Sequence, residues 1–238
     1  LQGSHNFRDI GGYATDGGRT VRWKRLYRSD GLSHLTEDDL QVLAPIGVST
    51  ILDLRSLDEL THHGPATLVT THGARHHHLP FIRENISATD YTELPPLGVM
   101  YEAMIEHGAG TIRSMFELLT NDATYPAVVH CTVGKDRTGV AVALVLRTLG
   151  VDDDTIATDF SLTEKAIDRI ALKLEASRVA TAQPIRQDLL SSDTAIMLGF
   201  LRAIDTRFGG TTQVLKEAGV PADAADHLRA LLLESPTS

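Results

Sequence analysis

Cys131 and Arg137 are separated by five intervening residues in HCTVGKDRTG, and every position of that loop has a chemical use. A thiolate that follows a strand and precedes a helix feels the positive end of the helix dipole and several backbone N–H groups without a partner inside the helix. Those groups favour the ionised sulfur, which is the form that attacks phosphorus. The backbone amides of Thr132, Val133, Gly134, Lys135, Asp136 and Arg137 can form a concave nest for the non-bridging oxygens of a phosphate. Gly134 lets the chain turn, and Arg137 can clamp two oxygens with its planar fork. Phosphoryl transfer spreads charge over those oxygens in a loose transition state, so preorganised donors are the main device and the chemistry calls for no metal and no cofactor.

Two further loop residues have roles. Lys135 places a positive charge near the phosphate or near a second anionic group of the substrate, and Asp136, if it faces the pocket, can protonate the leaving oxygen and later activate water. Thr138 either donates to the sulfur or packs the helix start. The bare C-x5-R spacing occurs often by chance; here His130 precedes the cysteine, Thr138 and Gly139 follow the arginine, and a strand and a helix bracket the whole. Cys131 is the sole cysteine, so an internal disulfide and a multi-thiolate zinc site are both ruled out. A lone cysteine is more often a small buried hydrophobe, a reading these neighbours override.

The elements that must hold this loop are legible around it. PAVVHC (126–131) reads as a buried strand and VAVALVLRTLG (140–150) as a helix apolar nearly all round, with a tight loop carrying Cys131, Gly134 and Gly139 between them. VSTILDL (48–54) is a second buried-strand signature and HHHLPFI (76–82) a third candidate. Ligands of such α/β folds bind beyond the carboxyl ends of the strands, where the loop falls. Upstream, glycines 11, 12, 17 and 18 punctuate extended pieces near Tyr13 and over 21–27 that read as a hairpin or edge strands. In SHLTEDDL, Thr36 caps a helix with Asp39 at the capping-box position and Leu35 and Leu40 as a staple, and that helix ends near Gly47. Helical spacing over 97–119 is broken at Gly108 and Gly110.

Beyond Gly150 only helices are expected, over 155–178, 192–208, 211–218 and 223–234, with a hinge at 180–184. Their apolar stripes, such as Ile167, Ile170 and Leu174 or Ile196, Phe200 and Leu201, read first as core packing and second as a lid. The fold class expected is α/β: one domain over 1–238, with a central mostly parallel sheet flanked by helices and a C-terminal helical elaboration.

Composition bounds the partners. Hydrophobic residues at 42% and charged residues at 22% are those of a globular chain with a sizeable core. A net charge of −9 argues against nucleic acid, which is bound through many lysines and arginines, so phosphate recognition must be local. No apolar run approaches the roughly 20 residues of a membrane span. LQGSHNFRDI lacks the basic-then-apolar pattern of a secretory signal, so a cytoplasmic location is expected, with secretion left open.

Through HCTVGKDRTG the sequence resembles the cysteine-dependent protein tyrosine phosphatase superfamily. More narrowly it looks like the atypical bacterial tyrosine and lipid phosphatases, with a Lys-Asp pair inside the loop; NFRDIGGY, LYRSDGLSHLT and ILDLRSLDEL fit that group too. The resemblance implies a central sheet flanked by helices, no cofactor, and action on phosphotyrosine, on phosphoserine or phosphothreonine in some members, and on phosphoinositides. By matching position it makes Cys131 the nucleophile, Arg137 the phosphate clamp, Asp136 the acid and base, and Lys135 a phosphate or inositol-phosphate contact, and it implies that Asp53 orients Arg137. A relative of the group covers its site with paired helices, which makes residues 155–205 the lid candidate. Classical tyrosine phosphatases carry the acid on a Trp-Pro-Asp loop, whereas Trp23 here is followed by Lys24 and Arg25. That departure favours Asp136, with Asp90 and Glu84 as rivals.

Several residues carry less. His76, His77 and His78 alternate across a strand and do not converge on one ion. Arg8, Arg28 and Arg55 either form a positive rim for phosphate substrates or make structural ion pairs. Asp152, Asp153 and Asp154 favour a helix start. The reading is a phosphatase with a phosphocysteine intermediate, acting on a phosphoprotein or phosphoinositide and releasing phosphate ion. Its rivals are a loop-cysteine sulfurtransferase, which has no use for the Asp136 and Arg137 pair, and a non-catalytic phosphate-binding module, which needs no thiol.

Overall fold

The computed structural model describes residues 1–81, 94–170, 172 and 190–235. The strands of its central sheet are β1 (Arg8–Asp9), β3 (Leu26–Ser29), β4 (Thr50–Asp53), β5 (Arg75–His78) and β6 (Ala127–His130), in the spatial order β1-β3-β6-β4-β5. Only the β1–β3 pairing is antiparallel; the other three are parallel, so the expected mostly parallel α/β sheet is present. In register, Ser29, His130, Asp53 and His78 end their strands at one level. The segments that follow those four residues therefore converge on one edge, where the Cys131 loop begins.

Alternation along the strands splits the core in two. Ala127 and Val129 of β6 join Leu26 and Leu52 on one face, under α4 (Leu97–His107), α5 (Ala109–Leu119) and α6 (Asp136–Leu149). Val128 joins Tyr27 and Ile51 on the other, with residues of α1 (Glu37–Leu43) and α3 (Thr67–His72). Helix α1 starts on the capping box expected of Thr36 and Asp39, and the 3-10 turn Ala44–Ile46 that follows it ends at Gly47, whose φ of 66° is left-handed. The break between α4 and α5 falls at Gly108, where a Cβ would lie 2.8 Å from the Phe81 ring.

Several sequence expectations need correction. Leu26–Ser29, read as part of a hairpin or edge, is an interior strand between β1 and β6, and all four of its residues are buried. The strand expected over 76–82 is Arg75–His78; Pro80 supplies no ladder donor, and Ile82 lies outside the described residues. Helix α6 begins at Asp136 rather than at 140, so Asp136, Arg137 and Gly139 belong to its first turns instead of to the loop.

The helix expected over 155–178 is interrupted where described, with residues 167–170 helical again beyond a 3-10 turn. Asp152 caps α7 (Asp153–Ser161), and a 3-10 turn, Leu162–Ala166, follows it. Leu174 and the hinge at 180–184 lie outside the described residues. The C-terminal part contains α8 (Thr194–Phe208), α9 (Thr211–Glu217) and α10 (Ala224–Leu232). It also contains a strand that hydrophobic patterning missed, β7 (Leu233–Glu234), antiparallel to β2 (Thr20–Val21). Two residues are too few to show a period. Among the described residues no helix is long and apolar enough to cross a membrane.

Candidate active site

The sulfur sits where β6 gives way to α6. Cys131 is 1% exposed, and the amide of Gly134 donates a hydrogen bond to its Sγ at 3.2 Å. Gly134 can aim that amide because its φ is +70°, a left-handed conformation that a side chain resists. Its Cα also presses on β3, since a Cβ there would stand 2.5 Å from the Ser29 carbonyl oxygen. His130 Nδ1 lies 3.1 Å from the Cys131 carbonyl, and burial holds that imidazole below its ordinary value, against the pull of Asp53.

Arg137 is gripped by Glu59. The Glu59 carboxylate takes Nη1 at 2.5 Å and Nη2 at 2.8 Å, an end-on fork that leaves the Nε side of the guanidinium for another anion. Glu59 is fixed in turn by the Ser56 amide at 2.7 Å, which is half of the capping box that starts α2 (Leu57–His63), and by the Thr132 hydroxyl at 2.5 Å. Burial pushes the Glu59 carboxyl up, but Arg137, the Thr132 hydroxyl and the Ser56 amide outweigh it and bring it to about 2.

The role that the resemblance implied for Asp53 therefore falls to Glu59. Asp53 is spent on Arg55, whose Nε and Nη2 reach it at 2.9 and 2.6 Å, and on His76 Nε2 at 3.1 Å. Burial raises the Asp53 carboxyl, yet nearby His130, Arg55 and His76 hold it well below the carboxylate range. The physical reason is reach: Arg55 lies two residues from Asp53 and meets its carboxylate bidentately, while Glu59 stands one helical turn further on, facing the loop. The Ser56–Glu59 spacing of a capping box was the signal in the sequence that marks Glu59 as fixed in place.

Asp136 opens α6 with a quarter of its side chain exposed. Its Oδ1 accepts from the Tyr101 hydroxyl at 2.6 Å and lies 3.3 Å from Lys135 Nζ. Tyr101 is fully buried, between Phe160 of α7 and Phe200 of α8, whose rings meet it edge to face at 6.3 and 5.6 Å. Burial first, then the charge of Asp136, raises the phenol well above its ordinary value, so it stays a donor. Sequence reading placed Tyr101 only within the helical spacing over 97–119 and missed its polar end. Lys135 is also buried, and its ammonium donates to the Ser191 carbonyl at 3.0 Å, inside the segment 155–205 expected as a lid. The described flanks of that segment, α7 and α8, bury Ile156, Phe160, Met197, Phe200 and Leu201 in the core; residues 173–189 lie outside the described residues.

Thr138 Oγ1 is buried without a hydrogen-bond partner among the described residues, so donation to the sulfur, one of its two expected roles, is not made here. Arg8, Arg28 and Arg55 make structural ion pairs rather than an exposed rim: Arg8 and Arg28 with Asp159, Arg55 with Asp53. The loop and the first turn of α6 thus bring together Cys131, Gly134, Asp136 and Arg137, and the elements around them add Glu59 and Tyr101.

Over nearly the whole chain, residues 1–234 match the model of the tyrosine phosphatase family. The chain belongs to the tyrosine phosphatase family. It is a phosphatase, and it is similar to a triple specificity protein phosphatase, PtpB, of Mycobacterium tuberculosis, at 25% identity over 98% of each chain. It is also 30% identical to a putative tyrosine-protein phosphatase of Cupriavidus necator over 90% of this chain and 81% of that one. A tyrosine-protein phosphatase of Nostoc commune is 28% identical over 57% of this phosphatase and 47% of its own length.

Proposed function

We propose that this single-domain phosphatase hydrolyses phosphotyrosine, and phosphoserine, phosphothreonine and phosphoinositide monoesters in the same loop, through a phosphocysteine intermediate. The observation that carries the reading is the Gly134 amide on Cys131 Sγ, at the start of a helix whose second residue is Arg137. Amides aimed at that sulfur also face the site where the equatorial oxygens of a phosphate sit. In the first step Sγ bonds to phosphorus, the bond to the leaving oxygen breaks, and Asp136 gives that oxygen its proton. Tyr101 and Lys135 both stand at Oδ1, which leaves Oδ2 as the oxygen that carries the proton. In the second step water attacks phosphorus, Asp136 takes a proton from it, and the S–P bond breaks to release phosphate and the thiolate. Arg137, held end-on by Glu59, offers its Nε side to the phosphoryl oxygens in both.

A breadth of substrate beyond phosphotyrosine is supported by likeness to a relative named for triple specificity and by Lys135, a second cation one residue from Asp136. The test is a panel of phosphotyrosine peptides, phosphoserine peptides and singly phosphorylated inositol lipids, with Cys131→Ser as the blank. Hydrolysis of all three classes by the wild type and of none by the variant is expected. Turnover by Cys131→Ser close to the wild-type rate would remove the sulfur from the mechanism, and hydrolysis of phosphotyrosine alone would restrict the substrate range.

A further inference from the structure

Two segments far from the loop in sequence hold its outer side. The Thr132 carbonyl accepts from the Gly31 amide at 3.0 Å, just past β3. Asn6 Nδ2 reaches the carbonyls of Val133 and Gly134 at 3.2 and 3.1 Å, and Arg28 Nη2 reaches Gly134 O at 2.8 Å. Across a trans peptide, the carbonyl of one residue and the N–H of the next point in opposite directions. Three carbonyls pulled outward therefore turn the amides of Val133, Gly134 and Lys135 the other way. The Gly134 amide is found on Cys131 Sγ, the direction this rule requires.

We infer that Asn6 and Arg28 are positioning residues that set the oxyanion-binding amides of the 131–137 loop by fixing its peptide planes from behind. The inference rests on the phosphatase reading above and adds the source of its preorganisation. Gly134 makes the device necessary, since a glycine at φ +70° has other backbone conformations within easy reach and its two flanking planes would flip without an anchor.

The anchors are themselves fixed. The Asn6 backbone N–H donates to Asp30 Oδ1 at 3.1 Å, and its side-chain Oδ1 accepts from Arg8 Nη1, so its Nδ2 end must face the loop. Nδ2 also reaches Thr163 Oγ1 at 3.3 Å. Arg28 gives Nη1 to Asp159, which also takes Arg8 Nε at 3.0 Å and the Tyr13 hydroxyl at 3.0 Å. Burial opposes the charge on Asp159, but Arg28 and Arg8 hold its carboxyl below the ordinary value. The Asp159 carboxylate thus holds both guanidiniums in place behind the loop.

The experiment compares Asn6→Ala and Arg28→Lys with wild type for kcat and KM on a small aryl phosphate, for inhibition by inorganic vanadate, and for melting temperature. Removing one preorganised oxyanion donor typically costs about a hundredfold in kcat, and misaiming two is expected to cost at least about tenfold in both kcat and vanadate affinity. Arg28→Lys keeps the charge at Asp159 but loses the fork, so it should weaken vanadate binding while retaining the fold. If Asn6→Ala does not fold, Arg28→Lys carries the test alone. Vanadate affinity and kcat within twofold of wild type in a folded variant would overturn the inference. An inactive wild type would instead sink the phosphatase reading, and the two failures are thereby told apart.

Discussion

Tyr101 gives its hydroxyl hydrogen to Asp136 Oδ1 across 2.6 Å, so a buried residue of α4 holds the first residue of α6. The ring that makes this bond is clasped by Phe160 and Phe200, one from each of the two helices described at either end of the 155–205 segment. The C-terminal elaboration thus acts on Asp136 through packing, by fixing the phenol that fixes its carboxyl.

Loss of that phenol should therefore damage proton transfer more than phosphate binding. Tyr101→Phe keeps the ring contacts and removes one hydrogen bond, a change of about 1 kcal/mol in stability. We expect kcat on alkyl phosphates, which need a protonated leaving oxygen, to fall about tenfold or more, with a smaller loss on activated aryl phosphates and vanadate inhibition unchanged. Asp136→Asn should show the same leaving-group pattern with larger losses. Rates measured across a leaving-group series decide it, and equal losses at both ends would move the acid away from Asp136.

Glu59 links Arg137 to the stability of the fold. Its carboxyl falls from 4.5 to about 2 on folding, and it is largely buried. A carboxylate whose folded value lies below its unfolded one adds stability that is fully present above about pH 4.5 and is lost as pH falls through about 2. That shift corresponds to about 3 kcal/mol at neutral pH. Glu59→Gln should lower stability at pH 7, and the gap between variant and wild type should close between about pH 4.5 and pH 2. Urea unfolding of both proteins at pH 7 and pH 3 reads the difference. An equal gap at the two pH values would mean that the Glu59–Arg137 pair contributes nothing through its charge.

The sequence made the 131–137 segment plain and its supports less so. Cys131 to Arg137 is one continuous stretch whose residue types carry their own meaning, and its flanking strand and helix announce themselves by apolar content. Glu59 and Tyr101 reach the loop from 72 residues before the cysteine and from the α4 helix, and nothing local to either says what it faces. Asp53 was drawn to Arg137 by family position, yet a nearer arginine, Arg55, takes its carboxylate. Leu26–Ser29 looked like an edge because glycines crowd the segment before it, while its interior place depends on β6, about a hundred residues away. Pairing at that distance leaves no periodic trace.

The two glycines of HCTVGKDRTG should part company when each gains a methyl group. At Gly134 an alanine meets a left-handed backbone, which costs about 1–2 kcal/mol by itself, and its Cβ falls 2.5 Å from Ser29 O and 2.6 Å from Asp30 N, both backbone atoms that cannot yield cheaply. Relief comes only by moving the loop, so Gly134→Ala should lose at least about a hundredfold in kcat, because misplacing preorganised groups by an ångström costs that much. At Gly139 the backbone is helical, and alanine gains up to about 1 kcal/mol of helix propensity. Its Cβ meets the Phe160 ring at 3.0 Å, a neighbour that can give by a small rotation. Gly139→Ala should therefore hold its melting temperature and vanadate affinity near wild type. Whatever it changes should appear on poor leaving groups, because Phe160 leans on Tyr101 and Tyr101 holds Asp136. Equal damage from both alanines, read by melting temperature and vanadate inhibition side by side, would mean that the left-handed turn at Gly134 has no special part in shaping the anion cup.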